Sequence, residues 1–82
     1  MLKSEISKKL YSLGLGGIKL QSILNSIDYW VHTKSQFNNI GKYEYIKDVT
    51  IEYNEYFKSD VVWVHYEIQP SKMINKLNVF VL

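Results

Sequence analysis

The feature that most constrains this chain is a change of hydrophobic period near Gly41. Before it, apolar residues recur at helical spacing. After it, they alternate with polar ones. Ile6, Leu10 and Leu13 fall at i, i+4 and i+7, which predicts a helix over about 4–13 with Ser4 as N-cap, Glu5 placed four residues before Lys9, and Gly14 as the left-handed residue that stops it. Leu20, Ile23, Leu24, Ile27 and Val31 form one stripe, which predicts a second helix over about 18–34. His32 and Lys34 suit its C-terminal dipole, and Asn38, Asn39 and Gly41 mark a loop after it.

Beyond Gly41, Tyr43, Tyr45, Val49, Ile51, Tyr53 and Phe57 share one parity and predict a half-buried strand over about 43–57, bent at Lys47 and Asp48. A turn at Lys58, Ser59 and Asp60 leads to a second strand over about 61–69, with Val62, Val64, Tyr66 and Ile68 on one side and Pro70 at its end. Leu77 to Leu82 alternates again and predicts a third strand. The expected fold is α+β: two helices packed on one face of a three-stranded antiparallel meander, as a single domain over 1–82. A loop centred on Ser59 and Asp60 pairs Phe57 with Val62, Tyr53 with Tyr66 and Ile51 with Ile68. The opposite face then aligns Tyr56 with Trp63, Asn54 with His65, Glu52 with Glu67 and Thr50 with Gln69.

A chain of this length buries only roughly 60–65% of its unfolded surface. The core must therefore draw on large side chains, and 15% of the residues are aromatic. Cysteine is absent, which removes thiol nucleophiles, iron–sulfur ligation and the usual structural zinc sites. No stretch approaches the length of a membrane span and residues 1–15 provide no signal-peptide core, so the expected setting is cytoplasmic with no membrane contact. All ten basic residues are Lys, and neither Arg nor Ala occurs. That is the coding habit of an AT-rich genome, as in a low-GC bacterium, its phage or mobile elements, or an archaeal virus.

Charge is unevenly placed. Residues 1–42 carry six Lys against Glu5 and Asp28, while residues 43–82 carry four Lys against six acids. A basic half favours nucleic acid or an acidic partner, but without Arg it lacks the bidentate fork suited to phosphate and guanine.

Three features carry functional readings. On the outer sheet face, Trp63 and Tyr56 amid His65, Glu52, Glu67 and Asn54 have the composition of an interface hot spot. The bland alternative is an ordinary cross-strand aromatic contact. Glu52 opposite Glu67 is a like-charge pair that needs an offset, such as a nearby Lys, a metal or a basic partner. With His65 it resembles a minimal acid–base or divalent-ion kit, although a small two-layer domain rarely encloses the pocket catalysis requires. The turn Gly14 to Lys19 has neither the spacing nor the preceding strand of a phosphate loop, and reads as an interhelical turn. The helix pair has suitable chemistry for base edges at Gln21, Ser22, Asn25, Ser26 and Tyr29 but no third supporting helix.

The expected function is that of a small non-enzymatic binding protein, a regulator or inhibitor of the phage or mobile-element type. It acts by protein–protein contact through Trp63, Tyr56, His65, Glu52, Glu67 and Asn54, with no catalytic residue, metal or cofactor. The alternative is a nucleic-acid-binding regulator using Lys8, Lys9, Lys19, Gln21 and Asn25. A homodimer through the third-strand edge or the aromatic face is a further expectation, between which the sequence does not choose.

Overall fold

A computed structural model of the chain describes residues 1–34 and 42–82. The order is α1 (Lys3–Ser12), α2 (Gly17–Lys34), a 3-10 turn (Tyr43–Tyr45), β1 (Ile46–Asn54), β2 (Ser59–Ile68) and β3 (Met73–Val81). The loop expected at Asn38, Asn39 and Gly41 lies outside the described residues.

Helix α1 starts one residue before the expected position, with Leu2 rather than Ser4 at the cap. Glu5 explains the shift: its Oε1 accepts the Leu2 backbone N–H at 2.7 Å and places negative charge at the positive end of the helix. Gly14 ends the helix as expected, at φ +93°. Its N–H donates to the Tyr11 carbonyl at 3.0 Å, and the Leu15 N–H donates to the Leu10 carbonyl at 3.1 Å. This is the Schellman arrangement, and it brings Leu15 into the core. Leu13, placed on the core stripe by its spacing, is instead the partly exposed C-cap.

Ile23, Leu24, Ile27 and Val31 of α2 are buried as their spacing requires. So is Trp30, whose ring lies 5.2 Å from that of Tyr66 at 56°. The helices lie on one face of the sheet, α1 against β1 and α2 against β3. Ile6, Leu10, Ile23 and Ile27 meet Ile46, Val49, Val62 and Val64 in a single core.

The sheet is an antiparallel meander in the order β1-β2-β3. The alternation after Gly41 does produce a one-sided sheet, but the pairing differs from expectation. Ile51 meets Val62 rather than Ile68, a shift of six residues, Val49 meets Val64, and Tyr53 meets Asp60. The turn is Glu55–Lys58 rather than Lys58–Asp60. Asn54 Oδ1 accepts the Phe57 N–H at 3.2 Å, and Lys58 takes φ 50°, so the chain reverses before Ser59. The shift is even and keeps Val49, Ile51 and Tyr53 on their expected face, which is why parity survived there while register did not, whereas Ile46, of the other parity, reaches the core through the bulge that precedes Asp48.

Two ends also differ. Tyr43–Tyr45 forms the 3-10 turn instead of strand, its place fixed by the Tyr43 hydroxyl donating to Asp28 Oδ1 at 2.6 Å and by the Met1 nitrogen donating to the Tyr43 and Ile46 carbonyls at 2.9 and 2.6 Å. Strand β3 begins at Met73 rather than Leu77, because Lys72 at φ 61° closes a turn by donating its N–H to the Ile68 carbonyl at 2.7 Å. The bend expected at Lys47 and Asp48 is present as a bulge between the Ile46 and Asp48 pairings.

Candidate functional site

The sheet face turned away from the helices is set by the register. Its rows run Asp48, His65, Lys76, then Thr50, Trp63, Asn78. Trp63 stands in the middle of the central strand. The Lys76 ammonium lies 4.7 Å from its ring centroid and 2.9 Å from Glu52 Oε2. Lys76 belongs to β3 and Glu52 to β1, so this ion pair crosses the central strand over the indole. It combines a cation–π contact with a charge-assisted hydrogen bond. The Lys76 hydrogen bond holds the Glu52 carboxyl below the usual carboxylate range, against a smaller opposing effect of desolvation. Trp63 Nε1 is buried with no hydrogen-bond partner among the described residues.

The expected pairings across this face are corrected by the register. Glu52 lies opposite Val61 and Glu67 opposite Ile74, so the like-charge pair does not exist. Each acid has its own lysine: Glu67 lies 3.5 Å from the Lys47 ammonium and also accepts the Gln69 side-chain N–H at 2.5 Å. His65 Nε2 and Thr50 Oγ1 share a hydrogen bond of 2.7 Å. Among the described residues no group of three His, Cys, Asp or Glu side chains is placed to hold a metal ion. Glu52, His65 and Glu67 are thus separately engaged within the sheet.

Tyr56 does not face Trp63. It sits in the β1–β2 turn with Asn54, which caps that turn, while Trp63 lies four residues along β2 from its start, roughly 13 Å away at the usual strand rise. Tyr56 is 87% exposed and meets Phe57 edge-on at 5.0 Å. Phe57 and Tyr53, both expected on the covered face, are 41% and 59% exposed. Their parity is the covered one, but the helices bury the rows from Ile46 to Ile51 and leave the hairpin end bare. Tyr53, Tyr56 and Phe57 thus form an exposed aromatic tip. The sequence signal for it was Asn54, as strong a turn former as Ser59 or Asp60.

The helical half is less free than its charge suggests. The Lys9 ammonium bonds Asp48, tying α1 to β1, and Lys3 lies 3.6 Å from Asp28. Gln21 donates to Asn25 Oδ1 at 3.0 Å. Lys8 and Lys19 are exposed and make no ion pair among the described residues. Asn25, Ser26, Tyr29 and Trp30 line an open groove of about 420 Å³ against Leu77, Asn78 and Val79 of β3. His32 Nδ1–H donates to the Asp28 carbonyl at 2.8 Å. The Gly14–Gly17 segment is the interhelical turn, and a Cβ at Gly16 would lie 3.7 Å from the Tyr11 ring. No helix among the described residues is long and apolar enough to cross a membrane.

Compared with protein-family models, curated proteins and solved structures, the chain matches none.

Proposed function

We propose that this chain is a non-enzymatic binding protein that acts by contact with a protein partner through the aromatic hairpin tip. Tyr56 is the anchor, Tyr53 and Phe57 flank it, and Glu52, His65, Glu67 and Trp63 contribute the adjoining sheet face. The observation that carries this reading is the exposure of three aromatic side chains close together in sequence at the hairpin end that the helices leave uncovered. Exposed aromatics gathered in one place have the composition of binding anchors, because they supply large rigid contact area at little entropic cost. The charged groups of the outer face are already paired among themselves, which suits a polar surround better than acid–base chemistry. A domain that occupies a partner's surface without chemistry of its own works as a regulator or inhibitor.

The test is capture from a lysate of a low-GC bacterial host, with wild type and Tyr56→Ala compared before and after nuclease treatment. A protein retained by wild type, lost by at least about 30-fold in affinity with Tyr56→Ala, and indifferent to nuclease supports the proposal. Capture that survives Tyr56→Ala and disappears with nuclease rejects it. That result transfers the function to nucleic acid, read through Lys8 and Lys19.

A further inference from the structure

The end of the molecule where the two helices meet leaves large apolar side chains in solvent. Tyr11 is 71% exposed, Leu13 43% and Ile18 87%, and all three flank the Gly14–Gly17 turn. The turn itself holds them there. Leu15 is drawn into the core by the Schellman closure, which leaves Leu13 outside as the C-cap of α1 and Ile18 outside as the second residue of α2. Tyr11 borders the same turn, its ring 3.7 Å from where a Cβ at Gly16 would stand. Around this apolar group the charge has one sign. No carboxylate stands between Glu5 and Asp28, a stretch that holds Lys8, Lys9 and Lys19. Lys9 is engaged by Asp48. Lys8, three residues before Tyr11 on α1, and Lys19, next to Ile18, are exposed and make no ion pair among the described residues. The hairpin tip is the opposite case, its aromatics standing among Glu52, Glu55 and Asp60 against Lys58 alone.

We infer that this helical end is a docking surface for a bilayer that bears anionic lipid. The occupant has to offer hydrocarbon to Leu13 and Ile18, an interfacial layer to the amphipathic ring of Tyr11, and negative charge to Lys8 and Lys19. The surface of an anionic bilayer presents all three, stacked by depth. Nucleic acid presents the charge without the hydrocarbon, so it leaves Leu13 and Ile18 unexplained. The hairpin tip, with its carboxylates, has the wrong sign for the same surface. The chain rests on the bilayer and does not cross it through its helices, since no helix among the described residues is long and apolar enough to span. Two free lysines and two aliphatic side chains make the attachment reversible and sensitive to salt.

Co-sedimentation of the whole chain with unilamellar vesicles tests the inference, comparing phosphatidylcholine alone with an equal mixture of phosphatidylcholine and phosphatidylglycerol. The expected result is partition into the mixed vesicles about tenfold or more above that into phosphatidylcholine, and weaker at high salt. Ile18→Ser weakens binding to the mixed vesicles by about tenfold with an unchanged circular dichroism spectrum, because a side chain 87% exposed contributes little to the fold. Lys8→Gln combined with Lys19→Gln weakens it by about tenfold or more. Tyr56→Ala leaves it as it was, which keeps this surface separate from the role of the hairpin tip. A chain that does not sediment with the mixed vesicles, or whose binding to them survives Ile18→Ser, overturns the inference. So does binding to a short DNA duplex and to neither vesicle, which assigns the two lysines to nucleic acid.

Discussion

Trp63 shows how far a residue's role depends on neighbours that sequence order does not bring together. Its place on the outer sheet face follows from parity alone. Its cover does not, because Lys76 and Glu52 come from strands on either side of it and meet only in the true register. The ion pair roofs the indole, so replacing Lys76 with Met is expected to move the Trp63 indole N–H resonance and leave that of Trp30 in place. Acidification has the same effect by another route. The folded-state carboxyl of Glu52 is depressed, so the contact is complete above the ordinary carboxylate range and is lost as pH falls through the lower folded value. A Trp63 resonance that ignores both perturbations removes the Lys76 roof. Gly14 is the other residue whose role is local and strict. At φ +93°, with open space around the site of a Cβ, Gly14→Ala meets no clash and suffers only the backbone cost. The expected loss is about 1 kcal/mol in urea denaturation, set by the left-handed conformation.

At the scale of elements, the helices were legible because their signal is repeated. Four buried positions of α2 share one stripe, and one misplaced residue does not change the period. Trp30 falls just beside that stripe and was missed, since a helix between a sheet and a neighbour buries a wider arc than a narrow stripe suggests. Ile27→Ala, deleting a side chain only 1% exposed at the centre of this arc, is expected to cost about 2–5 kcal/mol in equilibrium unfolding, against well under 1 for Ile18→Ala at the exposed start of the same helix. Register was not legible in the same way. Parity is blind to even shifts, and Asn54, Ser59 and Asp60 all have turn chemistry. The expected register nevertheless carried a warning in Glu52 facing Glu67, an unfavourable pair with no partner in sight. The observed register dissolves it by giving each acid a lysine. The same shift moved Tyr56 from the side of Trp63 to the turn, and exposed the aromatic tip.

Over the whole molecule, three of the polar ties that join separate elements share one chemistry. Asp28 links α2 to the 3-10 turn through Tyr43, Asp48 links β1 to α1 through Lys9, and Glu52 links β1 to β3 through Lys76. A hydrogen bond from the partner is in each case the main cause that holds the carboxyl below its ordinary range, with desolvation opposing it. The sign follows from linkage. Groups with depressed folded values contribute stability that is complete above their unfolded values near 4 and is lost as pH falls through the lower folded ones. The urea midpoint is therefore expected to be flat from pH 7 to about 5 and to fall below about 4. All three ties are at least partly exposed, so molar salt shrinks the difference between the two plateaus by screening. Replacing Asp28 and Asp48 with Asn and Glu52 with Gln lowers the midpoint at pH 7 and removes most of its acid dependence, because no linked proton remains to be taken up at those sites. A triple variant whose midpoint falls with acid as steeply as that of wild type would place the acid sensitivity in other carboxylates.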